Sequence, residues 1–156
     1  MLVVDEDIIF TGEAPIHEQL APSSHDTEVQ RQARKEDIAY NTSAPDAPES
    51  IILVSIGSDV DGGIRRLHGG VTATLLDQVM GTLLSHYYEN TSATSELNVK
   101  YMKAITTPCV LLVKGKVKRE KGRWIETVGT IEDGHGTVFA EGVGAFVMGK
   151  VAAAKI

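Results

Sequence analysis

The run HGGVTATLLDQVMGTLLSHYY at positions 68–88 constrains this chain more than any other feature. Its apolar residues fall at 71, 75, 76, 79, 80, 83, 84 and 87, the spacing of one helical face. What flanks this helix reads as strand. IILVSIGS (51–58) is a β-type run, and Asp59 to Gly63 is turn chemistry. SELNVKYMKA (95–104) alternates Leu97, Val99 and Tyr101 against Glu96, Asn98 and Lys100. Cys109 to Arg119, Arg123 to Glu132 and Thr137 to Met148 complete the series, with a turn at 120–122 and a hairpin turn opened by Asp133-Gly134. One long helix followed by consecutive antiparallel strands implies an α+β domain with the sheet wrapped on the helix.

Charge and composition divide the chain near residue 50. Residues 1–50 hold 11 acids and 3 bases, net −8, and residues 51–156 hold 10 acids and 12 bases, net +2. Four of the five prolines (Pro15, Pro22, Pro45, Pro48) lie in the first part. The reading is an arm over 1–50, a domain over 51–150 and a short tail over 151–156. Within the arm, Ser23-Ser24-His25-Asp26 precedes TEVQRQARKEDIAY (27–40), which has the look of a capped helix with a weak apolar stripe. The formal charge of −6 argues against a nucleic-acid surface, which needs excess Lys and Arg. A single cysteine excludes an internal disulfide framework and a cysteine zinc cluster. No apolar run approaches the roughly 20 residues that span a bilayer, and the acidic opening MLVVDEDIIF lacks a basic leader. A soluble cytoplasmic protein is expected. The closing Ala154-Lys155-Ile156 keeps a peroxisomal address open as the alternative.

The helix has two chemical features. Gly69 and Gly70 open it, leaving backbone N–H groups uncovered where a helix carries partial positive charge. Such a terminus can hold a carbonyl oxygen as it becomes an oxyanion. The same glycines also fit a plain tight turn. His68, just ahead, can cap the turn or add a polar wall. Asp77 then interrupts an otherwise apolar helix, on a flank with Gly70, Ala73, Gly81 and Leu84. A solvated Asp on an exposed face is the plain alternative. Gly70 and Asp77 are about 10 Å apart along the axis. A donor and a carboxylate serving one carbonyl must both lie within about 3–4 Å of it. If they act together, two subunits must place their helices antiparallel across a twofold axis.

These residues resemble the hotdog-fold acyl-CoA thioesterases of the PaaI-like and THEM4-like branch. LHGGVTATLLDQVMG resembles the signature, TSELNVKYMKAI the strand that follows, KGKVKREKGRWIETVGTI the next hairpin and GTVFAEGVGAFVM the closing strand. The likeness spans about residues 51–148 and leaves the arm uncovered. It implies a long helix wrapped by five or six antiparallel strands, in a homodimer with a continuous sheet, often paired again into a homotetramer. It implies hydrolysis of an acyl-CoA to free acid and CoA. No cofactor is implied beyond the coenzyme A of the substrate. Residue by residue, Gly69 with Gly70 matches the oxyanion hole, His68 the group that orients the thioester, and Asp77 the carboxylate that acts as general base or nucleophile. Thr94 matches the residue that positions the water, with Ser95 as the adjacent choice. Lys121 and Arg123, near the hairpin turn, are candidates for the CoA phosphates and read equally as solvated; the alternating Lys114, Lys116 and Lys118 read rather as a solvated face. The segment Gly62 to Leu67 departs from relatives that carry an Asn or Gln before the His.

Other signals carry less. Cys109 lies in an apolar run and reads as core. His86 near the helix end fits a dipole contact, His135 fits a solvated turn, and Trp124 fits a packing anchor. No His, Asp or Glu set has metal spacing. No G-x-S-x-G elbow, G-x-G-x-x-G or P-loop is present. Two further readings stand beside acyl-CoA hydrolysis: action on acyl or polyketide chains held by an acyl-carrier protein, and a non-catalytic acyl-binding hotdog dimer.

Overall fold

In the computed structural model, which describes residues 37–149, the long helix is α1 (Gly69–Tyr87). Before it come β1 (Asp37–Ala39), β2 (Glu49–Ile56), a 3-10 turn at Ser58–Val60, and a small hairpin of β3 (Asp61–Gly63) and β4 (Arg66–Leu67). After it come β5 (Ser92–Tyr101), β6 (Cys109–Lys121), β7 (Trp124–Glu132) and β8 (Val138–Met148). The main sheet is antiparallel, runs β6-β7-β8-β5, and carries both β2 and β1 on the other side of β6. The chain thus adopts the α+β arrangement expected from its periodicities, with one helix against six strands.

Packing explains the closeness of sheet and helix. Leu75, Leu76, Val79, Met80, Leu83 and Leu84 of α1 are buried against Leu111, Val113, Val117, Ile125, Ile131 and Phe146 of the sheet. The sheet has no side chain where α1 presses hardest. A Cβ on Gly129 or Gly142 would come within 3.1 Å of the Leu76 methyls, tighter than ordinary contact. Tyr87, assigned to the apolar stripe, is 48% exposed, and Thr72 is buried in the first turns instead.

The helix expected over 27–40 is not what the described part of that segment forms. Asp37–Ala39 is extended and pairs with Arg119–Lys121, Tyr40 follows in irregular backbone, and residues 27–36 lie outside the described residues. The cause is the length of β6, whose 13 residues overhang the 8 of β2 and leave an open edge. Arg119 grips the Asp37 carboxylate there and holds its pKa below the usual range. Trp124 is 51% exposed rather than a core anchor, because it shares the outer sheet face with Glu126 while Ile125 and Thr127 point inward. Lys114, Lys116 and Lys118 are each ion-paired across the strands, to Glu132, Glu49 and Glu126.

One polar cluster joins distant segments. Glu120 Oε1 accepts hydrogen bonds from Tyr40, just past β1, and from Tyr88, at the end of α1. Burial first, and the bond to Glu120 second, push both phenols well above their ordinary value of 10. A group whose pKa is raised on folding contributes stability that is complete below its unfolded pKa and is lost as pH climbs above it. The urea midpoint is therefore expected to hold to about pH 10 and to fall at higher pH. The fall should be smaller in Tyr88→Phe; an equal fall in both proteins would remove the cluster as its cause. Leu76→Ala, at a fully buried site, is expected to destabilise by about 2–5 kcal/mol in the same measurement.

Candidate active site

The first turn of α1 is built around one histidine. His68 has extended N-cap geometry (φ −64°, ψ 133°), and its Nδ1 accepts the Gly70 N–H at 2.9 Å. Its backbone N–H donates to Val60 O, so the 3-10 turn ahead of β3 holds it. Both neighbouring glycines are steric requirements of this ring: a Cβ on Gly62 or Gly70 would come within 2.9 Å of His68. Val71 and Thr72 donate their N–H groups to His68 O. Gly70, Val71 and Thr72 are therefore spent, and among the first-turn N–H groups only that of Gly69 has no acceptor among the described residues. With Nδ1 accepting, a neutral His68 carries its proton on Nε2.

Gly69 lines a cleft of about 300 Å³ together with Leu67, Tyr101, Met102 and Phe139. Tyr101 closes over the turn. Its hydroxyl donates to Gly69 O at 3.0 Å, and a Cβ on Gly69 would meet its ring at 3.5 Å. The periodicity of β5 marks Tyr101 only as an alternating strand residue, so its role was not visible in the sequence.

Asp77 is not a freely solvated carboxylate. It is half-buried, and Thr94 Oγ1 donates to its Oδ1 at 2.8 Å. Oδ2 is left available. Asp77 and Thr94 open onto a separate groove of about 410 Å³, lined also by Thr82, Ser85, Ser92 and Phe146. Ser95 sits in a bulge between Thr94 and Glu96, without a cross-strand partner and without a bond to Asp77. Eight residues of continuous helix, about 12 Å, separate Gly69 from Asp77. The structure joins His68 to Gly70 and Asp77 to Thr94, but a single chain does not bring the two pairs together.

The remaining candidates lie apart. Lys121 lines a groove on the outer sheet face with Trp124 and Val143. Arg123 donates to Met148 O at 3.1 Å, in a cleft shared with Glu120 near the end of α1. Cys109 is half-buried, and burial, then the charge of Asp61, push its thiol up, which suits a packing residue rather than a nucleophile. Among the described residues no group of three or more His, Cys, Asp or Glu could hold a metal ion, and no helix is long and apolar enough to cross a membrane. One edge of β5 is unpaired among the described residues over its 10-residue length.

The family model of the thioesterase superfamily matches residues 65–140. A solved thioesterase-superfamily protein is 29% identical, with a TM-score of 0.59 over 64% of this chain; the chain spans about half of that protein, 49%. A Bacillus halodurans protein solved with CoA is 23% identical, TM-score 0.60, over 81% of this chain and 89% of its own. A Streptococcus pneumoniae protein described as a hypothetical thioesterase, solved with coenzyme A, is 17% identical, TM-score 0.61, over 73% of this chain and 89% of its own. No curated protein matches in sequence.

The cap yields a measurable expectation. His68→Ala removes the acceptor for Gly70 N–H and should cost about 1 kcal/mol in urea unfolding, while His68→Asn, which keeps a capping oxygen, should recover most of it. Equal losses in the two variants would show that the ring and not the cap matters.

Proposed function

We propose that this protein, whose residues 65–140 match the thioesterase-superfamily model and whose fold is that of the hotdog thioesterases, hydrolyses acyl-CoA thioesters in a site shared by two copies of the chain. The observation that carries the reading is the pairing of Asp77 with Thr94 beside a groove, with an unspent Gly69 N–H at the start of the same helix. Two chains joined antiparallel along their free β5 edges would bring one protomer's Gly69 toward its partner's Asp77. A long unpaired strand edge favours such a union, since its N–H and C=O groups otherwise compete for any strand.

The chemistry follows from the donors. Gly69 N–H and His68 Nε2–H polarise the thioester carbonyl, aided by the helix dipole. Thr94 occupies Oδ1 of the partner's Asp77 and leaves Oδ2 to take a proton from water. The water oxygen bonds to the carbonyl carbon, and the oxyanion forms against the two donors. Its collapse breaks the carbon–sulfur bond, and the carboxyl proton passes to the departing thiolate. Direct attack by Oδ2, giving a mixed anhydride that water then opens, uses the same atoms. Gly70 supports this site through the His68 cap rather than as an oxyanion donor. Ser95, in the bulge, is a weaker choice than Thr94. The S. pneumoniae neighbour was also solved with an aspartate and, separately, a threonine replaced by alanine, 16 residues apart in its own chain. The 17-residue spacing of Asp77 and Thr94 supports the pairing by analogy.

With an acyl-CoA panel, Asp77→Ala is expected to lower the rate by roughly 10²–10⁴; a rate equal to wild type ends the assignment. Thr94→Val should retain more activity than Asp77→Ala, because it loses one hydrogen bond to the carboxylate and not the carboxylate itself. Co-expressing Asp77→Ala with Gly69→Val tests the sharing. Random pairing makes half the dimers hybrid, each with one intact site, so about a quarter of wild-type activity should return. No recovery would place both groups in one chain.

A further inference from the structure

The two openings differ in charge. The cleft at Gly69 is rimmed by Arg66 and Lys103, with Arg65 next in the chain. The groove at Asp77 is lined by no lysine or arginine. Arg65, Arg66 and Lys103 have no ion-pair partner among the described residues, whereas Lys114, Lys116, Lys118 and Arg119 are all paired. The backbone beneath the cationic rim is tied together. Leu67 N–H donates to Ile105 O, Thr107 N–H donates to Arg65 O, and Arg66 pairs with Thr106, so the β3–β4 hairpin is joined to the 103–107 loop. Arg65 is held in the left-handed region (φ 52°), and Ile64 beside it stands 99% exposed.

Resting on the thioesterase reading above, we infer that the cleft at Gly69 takes the pantetheine arm of coenzyme A, and that Arg66 and Lys103, with Arg65, bind its phosphates. The acyl group then lies along the groove beside the partner's Asp77. A substrate with an anionic half and an uncharged half meets two openings of matching character, one cationic and one without cations, on either side of the scissile bond. Ile64 offers the adenine ring an apolar surface beside the cations. Guanidinium and ammonium groups without internal partners give up little when they bind phosphate, and each bond is charge-assisted. Arg123 is a poorer site, because its guanidinium is engaged by Met148 O and shares its cleft with the Glu120 carboxylate.

The test uses the full chain and coenzyme A itself, so that it does not depend on turnover. Calorimetry should show CoA affinity falling about tenfold or more in Arg66→Glu/Lys103→Glu, with the wild-type affinity weakening as salt rises. For the same acyl group, the ratio of kcat/KM on acyl-CoA to that on S-acyl pantetheine, which lacks the phosphates, should fall by a similar factor. An unchanged ratio and unchanged CoA affinity overturn the inference. So does a loss confined to Lys121→Ala/Arg123→Ala, or a loss seen with an acylated carrier protein and not with acyl-CoA. A wild type that binds CoA at this rim but hydrolyses no thioester would overturn the thioesterase reading and leave the phosphate site standing.

Discussion

A helix is a rigid ruler. From Gly69 to Asp77 the rise is about 12 Å, and no side-chain rotation closes that gap. The consequence runs through the structure. The chain builds what the proposed function reads as two half-sites, each complete in its own hydrogen bonds: a capped turn with one N–H to spare, and a carboxylate with one oxygen to spare. Neither half alone does the chemistry proposed for the whole.

The half-sites are held by different parts of the fold. The capped turn is anchored by the β3–β4 hairpin, the 103–107 loop and Tyr101. The carboxylate is anchored by the helix itself and the start of β5. The sheet keeps both in register because its glycines let α1 sink onto the strands until Leu76 and Val79 touch backbone. Larger side chains at 129 or 142 would lift the helix and move both half-sites together.

The helix and the four strands after it were legible because their periods, 3.6 and 2, are local properties of the sequence. Asp77 was legible as a charge in an apolar run. Its bond to Thr94 was not a sequence property, since it depends on how α1 crosses β5. Tyr101 was hidden for the same reason, counted as one more alternating residue. β1 was misread because three residues have no period of their own; what makes them a strand is the overhang of β6. The exposure of Trp124 could have been found by following strand parity, since it shares a face with Glu126. Arg66 and Lys103, 37 positions apart, share one cleft because the bridge at Thr106 and the backbone bonds on either side of it join their segments.

The bulge at Ser95 has a bearing on assembly that its place beside Thr94 conceals. A smooth strand edge can slide along an identical edge in steps of two residues, and each slipped alignment satisfies almost as many amides as the last. An irregular edge cannot. In the antiparallel union proposed for β5, the kink between Thr94 and Glu96 leaves Leu97–Tyr101 as the regular portion, so few alignments remain and twofold closure is favoured over stepwise growth into fibres.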